Sequence, residues 1–281
     1  MRRATVVTLS LLLLPAALEA EAIRARETAH LRESWSWSTG VFNPMRLALS
    51  DTITVETHPL LDLVGAFNVN VQKLHMQGAN WTLTLEGGLS CPTLAFRLTQ
   101  VMPVASPFFP RWTKGGGEIG WVLVPSAGLI WSYGGPREGV WTVRGDVAVG
   151  LPIGPSDAYP VDSVFAPLEL AFAPALTGLH ARVGTGYDYP VLDWLRLRAQ
   201  LFGHMTGPHP PGFPQLSPWF IEGYGGVDLG IGDHARVTLG AKWYNWDQHA
   251  TEVVEDKDGR ARRQSVRSND FWPTIDFIWE S

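Results

Sequence analysis

The sequence predicts an all-β protein, an antiparallel transmembrane β-barrel of about twelve strands, with ten as the alternative count. Three observations carry this. Apolar and polar residues alternate with period two over long stretches, while helical periodicity is almost absent after the first thirty-odd residues. Most of the alternating stretches run about 9–14 residues, where strands of soluble domains average about 5–6 and membrane-crossing strands need about 9–11. Tryptophan, with 13 in 281 residues, concentrates where the stretches begin and end.

The chain opens on an export signal at 1–22. Arg2 and Arg3 form a basic start, residues 6–14 form a short apolar run, and Ala20-Glu21-Ala22 supplies an A-x-A cleavage site before Ile23. The apolar run is too short to span a bilayer. Residues 23–33 (IRARETAHLRE) are charged and read as a mobile or weakly helical lead-in. The rest, 34–281, reads as one barrel with no linker marking a second domain.

Strands are expected near 34–39, 46–57, 67–75, 81–90, 118–131, 141–151, 165–173, 178–188, 195–204, 219–230, 236–246 and 271–279. The pattern is plain at 195–202, where Leu195, Leu197, Ala199 and Leu201 oppose Arg196, Arg198, Gln200 and Phe202. It recurs at the C-terminus, where Ile275, Phe277 and Trp279 oppose Thr274, Asp276 and Glu280. Aromatic rings with one polar edge settle at the lipid–water boundary. Trp81, Trp131, Trp141, Trp194, Trp219, Trp246, Trp272 and Trp279 are therefore the expected membrane girdle.

Composition narrows the class. Charged residues are only 17% of the chain against about a quarter in soluble domains. A net charge of −5 argues against a nucleic-acid binder. One cysteine, Cys91, excludes an intrachain disulfide and any CxxC motif. The mature chain has no apolar run long enough for a membrane helix. Connection lengths counted back from the last strand alternate long (247–270), short (231–235), long (205–218), short (189–194), as expected when turns and loops lie at opposite barrel ends. The N-terminal half departs from this: 91–117 and 152–164 are long where turns belong, and 174–177 is short where a loop belongs.

The signal at 1–22, the alternating strands, the aromatic strand ends and the last strand FWPTIDFIW together resemble an outer-membrane β-barrel protein of Gram-negative bacteria, of uncharacterised type. The final strand is similar to the C-terminal signal read by the barrel insertion machinery, with Ile275, Phe277 and Trp279 carrying the match, although Glu280 and Ser281 follow the aromatic residue. The resemblance implies the outer-membrane bilayer and that machinery as partners. It implies neither a substrate nor an oligomeric state.

Function in a barrel sits on the inward face. The expected lumen residues are Glu86, Arg144, Asp146, Glu169, Arg182, Asp188, Arg196, Arg198, Glu222, Asp228, Lys242 and Asp276, with both signs in rough balance. Two readings follow with equal weight. The charges line a passive or weakly selective channel for small polar solutes, or they pair and fill a closed barrel. A closed barrel would be a structural or docking protein presenting loops 205–218 and 247–270. A barrel hydrolase is the third reading, but the eight His form no motif with a serine, so no catalytic residue, metal ligand or cofactor is assigned. EDKDG at 255–259 lacks calcium-loop spacing.

Overall fold

The computed structural model describes residues 23–101, 111–112, 119–154, 160–161, 166–208, 218–255 and 261–281. The expected signal at 1–22 and most of EDKDG lie outside them. The strands are β1 (Trp37–Gly40), β2 (Met45–Ser50), β3 (Ile53–Thr57), β4 (Phe67–Gln77), β5 (Trp81–Cys91), β6 (Arg111–Trp112), β7 (Trp121–Tyr133), β8 (Val140–Val149), β9 (Leu151–Ile153), β10 (Pro160–Val161), β11 (Leu179–Leu192), β12 (Leu195–Thr206), β13 (Trp219–Ile231), β14 (Ala235–Glu255) and β15 (Ala261–Glu280). Short helices are α1 (Pro59–Leu63), α2 (Thr93–Val101) and α3 (Ala166–Thr177).

Twelve of these strands close an antiparallel barrel. Each pairs with its sequence neighbours in the order β1, β2, β3, β4, β5, β7, β8, β11, β12, β13, β14, β15, and β15 returns to β1. β9 continues β8 beyond Gly150 in unbroken register, pairing Trp121 with Ile153 and Leu123 with Leu151. β6 and β10 form a separate small ladder.

Two expected elements are corrected. The stretch 46–57 is a hairpin of β2 and β3, not one strand. Its tight turn at 51–52 leaves the odd-numbered residues outward on both arms, so the alternation runs through unbroken. The stretch 165–173 belongs to α3. Leu168, Leu170 and Phe172 alternate with Glu169 and Ala171, which mimics a strand. One strand is gained and one lost, so the count of twelve stands. Both changes also restore the connection rule along the whole chain. Turns at 51–52, 78–80, 134–139, 193–194 and 232–234 lie at one end, and the remaining connections, mostly longer, lie at the other.

Helix α3 is apolar on most of its surface, Glu169 and Thr177 apart, because both its sides are covered at the barrel mouth. Ala166 and Leu170 join Phe220, Tyr244 and Trp246 in one cluster. Phe172 and Leu176 join Ala66, Ala95, Phe96 and Ile119 in another. Phe172 and Phe96 meet edge to face with centroids 5.2 Å apart.

The seam between the first and last strands is short: Ser38, Thr39 and Gly40 face Glu280, Trp279 and Ile278. Above it, Asp276 ties the β1–β2 loop to β15. Its carboxylate accepts from the Val41 amide at 2.8 Å, the Phe42 amide at 3.1 Å and the Asn43 side-chain nitrogen at 2.5 Å. β14 and β15 run on past the wall. β13 pairs with β14 only as far as Asn245, yet β14 and β15 still pair at Glu255 and Ala261. The stretch expected as the long loop 247–270 is therefore largely a two-stranded ribbon. Trimming residues 251–265 should leave barrel folding intact, because the ribbon lends no strand partner to the wall. Unchanged heat-modifiable gel mobility checks this.

The two faces of the wall are chemically opposite. Leu197, Leu201, Val183, Ile275 and Phe277 point outward and are exposed. Their chain neighbours Arg196, Arg198 and Asp276 are buried. A soluble sandwich would show the reverse. A strand of about 11 residues tilted about 40° rises roughly 28 Å, matching a hydrocarbon layer.

Candidate functional site

The eleven strand residues expected in the lumen all lie on the inward face. They engage one another, the backbone or a loop side chain. Arg196 and Asp188 are in direct contact, and Arg198 reaches Asp188 at 3.4 Å and Asp228 at 2.8 Å. Arg236 lies 3.6 Å from Asp228 and donates through Nε to Glu280 at 2.9 Å. On the neighbouring strands Arg144 grips Glu86 through Nε and Nη2 at 3.1 and 2.7 Å, and Arg182 meets Asp146 at 2.8 Å. Nearer the mouth Lys242 holds Glu222 at 2.7 Å. His204 stands 3.3 Å from Glu222 and shares a hydrogen bond of 3.1 Å with His180. Asp276 is the loop tie described above. Glu169, the twelfth candidate, is corrected: it sits on α3, not on the wall.

The largest departure from the sequence reading is the segment 23–33. It forms no helix and is folded into the lumen, with Ile23, Ala25, Arg26, Thr28 and Ala29 buried. Its hydrogen bonds reach across the barrel. Arg196 Nη1 donates to the Ile23 carbonyl at 2.9 Å, and Arg236 Nη1 donates to the Arg24 carbonyl at 2.8 Å. Gln200 Nε2 donates to Glu27 at 2.9 Å. The Ala29 amide donates to Ser132 Oγ at 2.9 Å, and Thr84 Oγ1 donates to the Ala29 carbonyl at 2.7 Å. Arg32 closes on Glu280 at 2.6 Å. The amides of Ile23 and Ala25 donate to the carbonyls of Asp193 and Pro136, so the plug sits at the short-turn end.

Two plug residues carry displaced acidities. Burial pulls the Arg26 guanidinium down to about 9, helped by the like charges of Arg46 and Arg236 and opposed by Glu280. Burial pushes the Glu27 carboxyl up, but the Arg198 charge and the Gln200 hydrogen bond outweigh it and hold Glu27 below its ordinary range. Both groups are therefore charged at neutral pH.

Space in the lumen is uneven. Beside the plug, two cavities measure only about 20 and 30 Å³, and Arg26 lines both. Toward the mouth, one cavity of about 540 Å³ is bordered by Gln200, Lys242, Tyr244 and Trp272. Another of about 370 Å³ lies under α3 beside Asn70, Asp146, His180 and Arg182.

The girdle residues divide. Trp81, Trp131, Trp141 and Trp279 sit on the outward face toward the short-turn end, with Trp194 in the turn beside them, and Trp219 faces outward near the mouth. Trp246 and Trp272 are corrected. Trp246 is buried against Phe220 with ring centroids 6.2 Å apart, and Trp272 borders the larger mouth cavity. Parity carried this signal, since Trp246 shares a face with Lys242 and Trp272 with Asp276. No sequence signal marked the plug, which has no periodicity and finds its partners on the wall 52 or more residues away.

No protein-family model and no curated protein matches the chain. Solved structures of similar shape include the outer-membrane expressed OmpT of Vibrio cholerae, at 12% identity and a TM-score of 0.43, over 85% of this chain and 64% of that one. The in-vitro folded trimer form of that protein aligns at 11% identity and a TM-score of 0.44, over 85% and 64%. A Pseudomonas aeruginosa FadL homologue aligns at 8% identity and a TM-score of 0.40, over 87% and 67%. The chain thus spans about two thirds of the length of these structures. Its own wall fixes the address. A closed antiparallel sheet with an oily exterior, aromatic residues at its ends and charges sealed inside satisfies every backbone group within lipid, and the chain is an outer-membrane β-barrel.

Proposed function

We propose that the barrel is a gated channel for small polar solutes, shut in this conformation by residues 23–33. One observation carries the reading: the lumen is blocked by a separate, irregular segment and not by wall side chains alone. That segment is seated through hydrogen bonds and ion pairs, which water can replace as it withdraws. Apolar packing would offer no such exchange. The mouth cavities of about 540 and 370 Å³ are the outer part of the path. The charges behind the plug are mostly paired, so passage would be weakly selective. No step of this reading is enzymatic. A closed docking barrel is the second reading, and the β14–β15 ribbon favours it as a protruding surface.

Planar bilayers separate the two. The full chain should stay closed or flicker, while a variant lacking 23–33 should give steady conductance. On that background, Arg144→Gln and Arg198→Gln should change ion preference. A deletion variant that folds and remains silent would overturn the channel.

A further inference from the structure

Among the described residues, one cation of the lower lumen, Arg26, has no ion-pair partner. Arg26 is buried, and both its Nη1 and Nη2 lack any hydrogen-bond partner. The other lumen arginines are matched: Arg196, Arg198 and Arg236 share Asp188, Asp228 and Glu280, and Arg46 lies 2.6 Å from Glu56. Among the described residues no carboxylate stands within 4 Å of Arg26. An isolated buried charge is costly unless something of opposite sign joins it. The wall around it adds donors, with Arg46, Arg236, Thr54 and Gln72 bordering the same cavity of about 30 Å³. The Oγ1 of Thr54 is itself buried and without a partner.

We propose that this cavity is a binding site for a carboxylate-sized anion, held end-on by Nη1 and Nη2 of Arg26 and steadied by Thr54. Three features set the ligand class. Two parallel guanidinium N–H groups match the two oxygens of a carboxylate. Arg24, Arg26, Arg32, Arg46 and Arg236 border the cavity against one carboxylate, Glu27, so its charge favours an anion over a cation. The volume admits about two water-sized spheres, which is room for a formate-sized group and too little for a bulky solute. The anion would complete the charge balance of the closed lumen and hold the plug in place. This site is a property of the closed barrel, so it stands or falls apart from conduction.

Formate is the probe. The full chain, refolded in detergent micelles at neutral pH and low salt, is titrated calorimetrically with sodium formate. One saturable site per barrel is expected. Arg26→Gln should abolish it, and Arg26→Lys, which keeps charge without the fork, should weaken it at least tenfold. Thr54→Val leaves the plug untouched and should weaken binding several-fold, so the site remains testable if the Arg26 variants fail to fold. Absence of saturable binding to the folded wild-type barrel overturns the proposal. So does binding that survives Arg26→Gln, or binding indifferent to Thr54→Val. Conductance of the plug-deleted barrel, measured separately, reports only on the channel.

Discussion

Asp228→Ala should destabilise the folded barrel by about 3–5 kcal/mol, the range seen when one partner of a buried ion cluster is removed. Asp228 is 1% exposed and is the acceptor at the centre of the lower lumen. It receives Arg198 at 2.8 Å and the Thr238 hydroxyl at 2.7 Å, and lies 3.6 Å from Arg236. Its loss leaves Asp188 and Glu280 to serve Arg196, Arg198, Arg236 and Arg32, in a lumen where, among the described residues, no carboxylate pairs with Arg26. The cost comes from charge stranded in a poorly hydrated space, not from the lost contact as such. That distinction is measurable. Adding Arg198→Met to Asp228→Ala removes the stranded cation, so the double variant should recover much of the loss. Urea unfolding from detergent micelles, followed by gel mobility, gives both numbers. Equal stability of the single variant and wild type would show that the cluster is hydrated and that the lumen is open to water at this depth.

The same cluster shows what the sequence made legible. Arg196 and Arg198 stand between Leu195, Leu197 and Ala199, so one stretch of eight residues declares which face meets lipid and which meets the lumen. Period-two chemistry is local, and the fold class rests on nothing else. Two kinds of feature escaped. The β2–β3 hairpin passed as one strand because its two-residue turn preserves parity, although Ser50-Asp51-Thr52 are turn-forming residues. Helix α3 passed as a strand because it is buried on two sides and so lacks an amphipathic stripe. Pairing across the lumen is the other kind. That Arg196 would hold the carbonyl of Ile23, 173 positions away, follows from the closed barrel and not from any local pattern. The plug, and with it the candidate site, could be found only in three dimensions.

The inside-out arrangement itself predicts a depth-dependent penalty. Leu201→Arg should cost about 2–4 kcal/mol, and Tyr189→Arg about 0–1 kcal/mol, although both side chains face outward and are half exposed to about the same degree, at 53% and 50%. Leu201 lies mid-strand, paired with Thr185 on one side and Gly223 on the other. An arginine there has no short route to water, and the guanidinium must be drawn into hydrocarbon or thin the bilayer around it. Tyr189 lies near the end of β11, a few residues from the tight turn at 193–194, where a long cationic side chain reaches the headgroup layer. Chain position, not exposure, decides the outcome, so the pair separates a lipid-facing wall from a water-facing one. Refolding each variant into vesicles and titrating with urea measures the difference. In water both substitutions would be nearly neutral, and two similar small values would mean that the oily face meets something other than a bilayer.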